Sequence, residues 1–182
     1  SEMCIRDSDI MGLICGSEGL LGVITEVTVK ILKKPQTVKA ALIGFPTIEE
    51  GGNAATEIIS SGIVPAGMEI MDKALIEATD NFSKAGYPRD AELLLIVELD
   101  GTASEVDELL KEVSKISKKN NCSSLKLSRN DKERLSFWAG RKAAFPACGA
   151  MAPDYYCMDG TIPRGKLAEA LLEIKKLSKK YN

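Results

Sequence analysis

One segment of the sequence is almost continuously apolar, and it constrains the fold more than any other. Residues 92–99 read Glu-Leu-Leu-Leu-Ile-Val-Glu-Leu. A strand with one face in water alternates apolar and polar residues, whereas a strand that is covered on both faces is apolar along its whole length. We therefore expect residues 92–99 to form a strand in the middle of a sheet, with other elements packed on both sides.

Strand and helix patterns alternate around this segment. Further strands are predicted at residues 22–33, 38–45, 68–71, 122–127 and 155–162. Helices are predicted to begin after the N-cap residues Thr47, Asp72, Thr102 and Asn130, and at Pro163. The helix after Asn130 is expected to end near Trp138. The order between residues 38 and 128 fits an elaborated ferredoxin-like β-α-β-β-α-β layout in an α+β fold.

Composition excludes two classes of partner. The 24 Lys and Arg residues against 26 Asp and Glu give a formal net charge of −2, so the chain lacks the positive charge that drives nucleic-acid binding. The longest aliphatic run, Leu93 to Val97, is far shorter than the roughly 20 residues that cross a bilayer. We expect a cytoplasmic chain that has no transmembrane segment and binds no nucleic acid.

Histidine is absent from the sequence, which excludes an imidazole base, proton shuttle or metal ligand within this chain. The five cysteines are an odd number and contain no C-x-x-C pair. This pattern argues against both a disulfide framework and a zinc site. No metal site is therefore predicted in these residues.

A glycine cluster, Gly-Ser-Glu-Gly-Leu-Leu-Gly at residues 16–22, comes just before the predicted strand 22–33. Closely spaced glycines let a ligand approach the backbone and offer N–H groups to phosphate or ring oxygens. The cluster lacks the Lys-Ser/Thr ending of a phosphate-binding P-loop. On the residues alone, both a ligand cradle and a simple tight turn stay open.

Arg141 is a second candidate, because it is surrounded by small and apolar residues in the segment 138–146. Its planar guanidinium group is suited to bind a carboxylate through two hydrogen bonds. The alternative, in which Arg141 pairs with a structural acid or stacks on an aromatic ring, stays equally open. Tyr155 and Tyr156, in the polar and aromatic segment 153–164, are weaker candidates.

The glycine cluster also carries a family resemblance. Residues 16–26, Gly-Ser-Glu-Gly-Leu-Leu-Gly-Val-Ile-Thr-Glu, resemble the closing motif of the FAD-binding domain in flavoproteins of the vanillyl-alcohol-oxidase type. Three further segments, 65–72, 140–146 and 153–164, follow in the same order as in the FAD-linked subunits of glycolate oxidases. The resemblance covers residues 9–182.

The resemblance implies a division of the chain. Residues 9–36 would be the C-terminal end of a PCMH-type FAD-binding domain, and residues 37–182 an incomplete ferredoxin-like α/β cap domain that covers the substrate. Residues 1–8 fit neither pattern and are expected to be non-native or artefactual. We expect a fragment, with the family's FAD pyrophosphate loop and its catalytic and metal-binding histidines outside it.

The resemblance also implies roles for the candidate residues. The flavin site would be lined by Gly16, Ser17, Gly19, Gly22, Val23 and Ile24, mostly through backbone groups. Arg141 would bind the carboxylate of a small 2-hydroxy acid while hydride passes from its α-carbon to FAD. One of Tyr155 and Tyr156 would face the substrate, because alternate strand residues face opposite sides.

In such enzymes the electrons pass to an iron–sulfur or other electron-accepting subunit, which would also bring the protein to the inner membrane face. A divalent metal is compatible with the full complex, but this fragment would ligate neither group and would be inactive alone. Cys157 stands where related dehydrogenases tend to have lysine, which argues against a dicarboxylate substrate. The alternatives are a D-lactate dehydrogenase of the same superfamily and a stand-alone ferredoxin-like binding or regulatory module.

Overall fold

A computed structural model describes residues 9–181, which fall into two compact units that divide between Lys34 and Pro35. The first unit contains one short helix, α1 (Ile10–Ile14), whose N-cap Asp9 accepts a hydrogen bond from the Gly12 N–H. The remainder of this unit is a loop without regular structure. The segment 1–8, expected to be artefactual, lies outside the described residues.

The second unit alternates strands with helices. Its strands are β1 (Thr37–Phe45), β2 (Gly67–Asp72), β3 (Leu93–Gly101) and β4 (Ser124–Leu127). Its helices are α2 (Ile48–Ser60), α3 (Lys73–Ser83), α4 (Ala103–Lys119), α5 (Asp131–Lys142), α6 (Ala144–Met151) and α7 (Leu167–Tyr181), the last preceded by a short 3₁₀ helix at Arg164–Lys166. None of the helices between residues 9 and 181 is long and apolar enough to cross a membrane.

The four strands form one sheet in the order β2-β3-β1-β4, and each neighbouring pair is antiparallel. This is the strand order of a ferredoxin-like fold, with α3 as an extra helix between β2 and β3. The predicted α+β class and the elaborated ferredoxin-like layout are therefore confirmed for this unit.

Strand β3 lies inside the sheet between β1 and β2, as the apolar run predicts. Leu93, Leu95 and Val97 belong to a core shared with α2 and α4. Leu94 and Ile96 belong to a second core on the opposite face, which includes residues of α3 and α5. Both faces of β3 are therefore covered, which explains why the strand has no polar alternation.

The four predicted side-chain caps are all present. Thr47, Asp72, Thr102 and Asn130 each accept a hydrogen bond from the backbone N–H three residues later. At Thr102 the reciprocal bond is also made, since Glu105 Oε2 accepts from the Thr102 N–H at 2.9 Å. These bonds satisfy backbone donors that have no partner inside the helix and mark where each helix begins.

Two predicted strands, 22–33 and 155–162, do not form. A strand requires a partner for its backbone and a surface for its apolar face, and no segment within residues 9–181 pairs with either one. Val27 and Ile31, for example, are 68% and 86% exposed. Alternation in the sequence predicts a strand only where the chain supplies its neighbours.

The region after Asn130 is more helical than predicted. Helix α5 continues past Trp138 to Lys142, and α6 follows after a single residue, Ala143. Pro146 is compatible with α6 because it lies in the first turn, where backbone N–H groups have no partner inside the helix. This extension places Arg141 in the last turn of a helix.

Candidate functional site

The glycine cluster forms an open loop in the first unit. Gly16, Gly19 and Gly22 have φ values of +86°, +81° and +154°, and a Cβ added to any of them would meet no atom within 4 Å. Residues that carry a side chain rarely adopt these backbone conformations, so the three positions favour glycine. The backbone of this loop is accessible to a planar ring or an anionic group.

The other predicted flavin residues lie in or next to this loop. Ser17 is half-buried, its N–H donates to the Ile14 carbonyl at 3.0 Å, and its own carbonyl accepts from the Leu20 N–H at 2.9 Å. Val23 and Ile24 are exposed. The structure shows a defined turn with an open apolar continuation, and the assignment of these residues to a flavin stays a prediction.

Arg141 lies in the second unit, where its side chain contacts an acid on β2. Its Nε donates to Glu69 Oε2 at 2.9 Å, and both side chains are partly exposed. Within residues 9–181, the Arg141 Nη1 and Nη2 groups make no hydrogen bond. The structure therefore contains the ion pair that the alternative for Arg141 describes, while two guanidinium donors are still available to a carboxylate.

A second carboxylate fastens the same helix to the sheet. Glu98 on β3 accepts from Arg134 Nη1 at 2.9 Å and from Trp138 Nε1 at 2.7 Å. The hydrogen bond that Arg134 donates to Glu98 raises the pKa of Arg134 above its ordinary value. Arg134, Trp138 and Arg141 are spaced at i, i+4 and i+7, so one face of α5 is held on β2 and β3.

Tyr87 also contacts α5, through its hydroxyl group and its ring. Its hydroxyl donates to the Phe137 carbonyl at 2.5 Å and accepts from the Arg141 N–H at 3.1 Å. Its ring occupies the space beside Gly140, where an added Cβ would lie 2.3 Å from Tyr87 Cε2. Tyr87 and Glu69 were not assigned roles from the sequence, although Gly140 and Glu69 both lie in segments that carry the family resemblance.

Tyr155 and Tyr156 follow α6. The Tyr155 ring stacks on Phe145, with 6.4 Å between ring centroids and 30° between planes. Tyr156 is 85% exposed. Neither hydroxyl makes a hydrogen bond within residues 9–181, and the predicted strand that would direct one of them toward a substrate is absent here. A role for either tyrosine stays a prediction.

Comparison with known proteins identifies relatives along almost the whole chain. The chain is 49% identical over 174 residues to glycolate oxidase subunit GlcD of Escherichia coli strain K12, a match that covers 96% of this chain and 35% of that protein. It is 35% identical to the mitochondrial D-lactate dehydrogenase [cytochrome] of Arabidopsis thaliana, over 92% of this chain and 30% of that protein. The chain thus spans about a third of the length of these relatives.

A solved structure supports the fold. The alkyldihydroxyacetonephosphate synthase structure matches 97% of this chain and 38% of its own with a TM-score of 0.68, at 22% sequence identity. The family described as FAD linked oxidases, C-terminal domain, matches residues 34–182. Together with the 49% identity to the Escherichia coli protein, this confirms the resemblance expected from the sequence motifs, and the chain belongs to the family of FAD-linked oxidases.

Proposed function

We propose that the protein containing this chain is an FAD-dependent dehydrogenase or oxidase of small 2-hydroxy acids, of the glycolate oxidase flavoprotein-subunit type. The observation that carries the proposal is the 49% identity to a glycolate oxidase subunit along 96% of the chain. Because the chain has no histidine, we expect it to be inactive by itself and to need a base from outside these residues.

Residues of the first unit are suited to form part of the FAD site. The open glycine loop, with Gly16, Gly19 and Gly22 at positive φ, leaves room for a planar group against the backbone. Ser17, Val23 and Ile24 would complete this part of the site. Bound FAD would supply the acceptor for the hydride that leaves the substrate α-carbon.

Arg141 supports the choice of a carboxylate substrate. With Nε bonded to Glu69, the Nη1 and Nη2 groups are available to bind a carboxylate, and a guanidinium fork matches both oxygens of that group. Glu69 already balances part of the positive charge at Arg141, so a second substrate carboxylate would add negative charge for which Arg141 offers no further partner. We infer a small monocarboxylate, in agreement with the replacement of the related enzymes' lysine by Cys157.

The Arg141→Lys substitution tests this role. Lysine keeps the charge but lacks the planar fork, so kcat/KM for glycolate should fall by roughly 10-fold or more. The measurement is steady-state kinetics of the flavin-loaded protein with a dye acceptor. Arg129→Lys, which alters an exposed pair with Glu133, is the matched control and should leave the kinetics unchanged. Unchanged kinetics in Arg141→Lys would refute the carboxylate role.

The Gly22→Val substitution tests the flavin loop. A valine strains the backbone at φ +154° and fills the open space beside it, so flavin absorbance should be lost after desalting. Gly62, with φ +88° and equally open surroundings, provides the control. Gly62→Val should retain flavin despite similar backbone strain, and full flavin occupancy in Gly22→Val would exclude this loop from the site.

A D-lactate dehydrogenase is the second candidate, because the 35% identity to the Arabidopsis thaliana enzyme covers most of the chain. A small pocket changes its preference between such substrates through few side chains. The ratio of kcat/KM for glycolate to that for D-lactate distinguishes the two. The name of the Escherichia coli relative, a subunit, supports a complex with partner subunits. We propose that an iron–sulfur or other electron-accepting subunit takes the electrons and brings the protein to the inner membrane face.

A further inference from the structure

We propose that Tyr87 is a positioning residue for Arg141, and that its hydroxyl, hydrogen-bonded to the last turn of α5, sets the direction from which Arg141 meets a substrate carboxylate. The inference rests on the proposed function, because it requires Arg141 to bind the substrate. It adds a residue that lies 54 positions away in the chain and bonds the main chain of Arg141.

The geometry of α5 carries the proposal. Phe137 and Arg141 are four residues apart, and in an α-helix the carbonyl of the first accepts from the N–H of the second. Here the Tyr87 hydroxyl contacts both groups, donating to Phe137 O at 2.5 Å and accepting from Arg141 N at 3.1 Å. These two hydrogen bonds join the last turn of α5 to Tyr87, so the hydroxyl holds the main chain at Arg141 in place.

Tyr87 is itself held firmly. It is 4% exposed, and its N–H donates to Asp80 Oδ1 at 3.1 Å. Burial raises the pKa of Tyr87, and this effect outweighs the hydrogen bonds and charge of the helix end that lower it. The phenol therefore stays protonated near neutral pH and keeps the proton that it donates to Phe137.

Two contacts then define the position of Arg141. Tyr87 fixes its main chain, and Glu69 fixes its guanidinium group through Nε. With both ends fixed, the Nη1 and Nη2 donors have one preferred direction. Loss of the Tyr87 hydroxyl would release the main chain of the last turn and let the guanidinium group shift relative to Glu69. Displacements of about 1 Å are enough to weaken a preorganised site.

Tyr87→Phe removes only the hydroxyl. In the flavin-loaded protein we expect the KM for glycolate to rise about 3- to 10-fold with a smaller change in kcat, since a binding contact is weakened. The Kd for 2-hydroxyisobutyrate, which has no α-hydrogen and cannot be oxidised, should rise by the same factor. The KM for the dye acceptor should not change. Ser117→Ala, which removes a buried hydroxyl bonded to the Val113 carbonyl on α4, should leave all three constants unchanged.

A double-mutant cycle with Arg141→Ala separates the two proposals. If Tyr87 acts through Arg141, Tyr87→Phe should add nothing to the KM of the Arg141→Ala variant. An Arg141→Ala variant with unchanged KM overturns the proposed role of Arg141. If Arg141→Ala raises the KM, two results overturn the positioning role alone. In one, Tyr87→Phe leaves the KM of the otherwise wild-type protein unchanged, and in the other its effect is fully additive with that of Arg141→Ala.

A crystal structure of the wild-type protein with 2-hydroxyisobutyrate provides the test if Tyr87→Phe does not fold. The expected result is a carboxylate on Arg141 Nη1 and Nη2, with the Tyr87 hydroxyl between Phe137 and Arg141. A Tyr87 hydroxyl that bonds neither Phe137 nor Arg141 overturns the inference, and a carboxylate bound away from Arg141 overturns the proposed function.

Discussion

Replacing Gly140 by alanine is expected to destabilise the protein by about 2–4 kcal/mol, although alanine is the better helix former by about 1 kcal/mol. The new Cβ would lie 2.3 Å from Tyr87 Cε2 and 2.6 Å from its hydroxyl. Overpacking of a buried site costs about 1–3 kcal/mol, and moving the ring breaks two hydrogen bonds worth about 1 kcal/mol each. The steric and hydrogen-bond losses therefore exceed the gain in helix propensity. Urea unfolding measures the difference.

Gly149→Ala is the matched control, because Gly149 is also helical but its added Cβ would meet only Tyr155 Cε1 at 3.8 Å. This variant should be neutral or more stable by up to about 1 kcal/mol. A second check uses Tyr87→Ala, which removes the ring. In that background Gly140→Ala should no longer destabilise, and an undiminished loss would show that the ring is not the cause.

Much of the second unit could be predicted because its signals are local. The run at 92–99 predicts a central strand, and β3 lies between β1 and β2 with both faces covered. Helix starts were predicted from caps that need only four consecutive residues, as at Thr102 and Glu105. Each of these patterns is complete within one element, so the sequence contains the whole signal.

The two predicted strands that do not form, 22–33 and 155–162, would need pairing partners in other parts of the chain. Val27 and Ile31 alternate with polar residues as a half-buried strand does, yet their side chains are exposed and no segment within residues 9–181 pairs with them. The segment 155–162 behaves in the same way, although Tyr155 does pack on Phe145. Alternation reports which face of a segment is apolar, and pairing depends on a partner that the pattern does not identify.

The candidate site shows the same limit. Arg141 was recognisable as a single arginine among small residues, but its contacts with Glu69 and Tyr87 join residues 72 and 54 positions apart. No local pattern encodes such contacts. Gly140 was visible as part of a motif, and only the structure shows that its missing side chain makes room for the Tyr87 ring.

Asp80→Asn is expected to cost about 2–4 kcal/mol at neutral pH, because hydrogen bonds to a buried charged group are worth about 1.5–3 kcal/mol each. Asp80 is 7% exposed. Its Oδ1 accepts from the Gly86 and Tyr87 N–H groups at 2.8 and 3.1 Å, and its Oδ2 accepts from Arg89 Nε at 2.8 Å. In asparagine, one of these oxygens becomes an NH₂ group that faces a donor.

Asp107→Asn is the control for this substitution. Asp107 pairs with Lys39 at 2.6 Å, and its side chain is half-exposed. Pairs of this kind contribute about 0–1 kcal/mol, so the loss of stability should be much smaller than for Asp80→Asn. Equal losses in the two variants would mean that the Asp80 network does not stabilise the loop at Gly86 and Tyr87.

The pH dependence gives Asp80 a distinct signature. Burial by itself raises the pKa of this carboxyl, but the hydrogen bonds from Arg89, Tyr87 and Gly86 outweigh burial and hold the pKa below the ordinary value of 3.8. A lowered pKa in the folded state stabilises the protein above that ordinary value, and the contribution is lost as pH falls through the folded-state pKa. The stability gap between wild type and Asp80→Asn, measured by urea unfolding, should therefore be constant from pH 7 to about 5 and narrow below about 4. A gap that stays constant to lower pH would mean that the charge of Asp80 does not stabilise the fold.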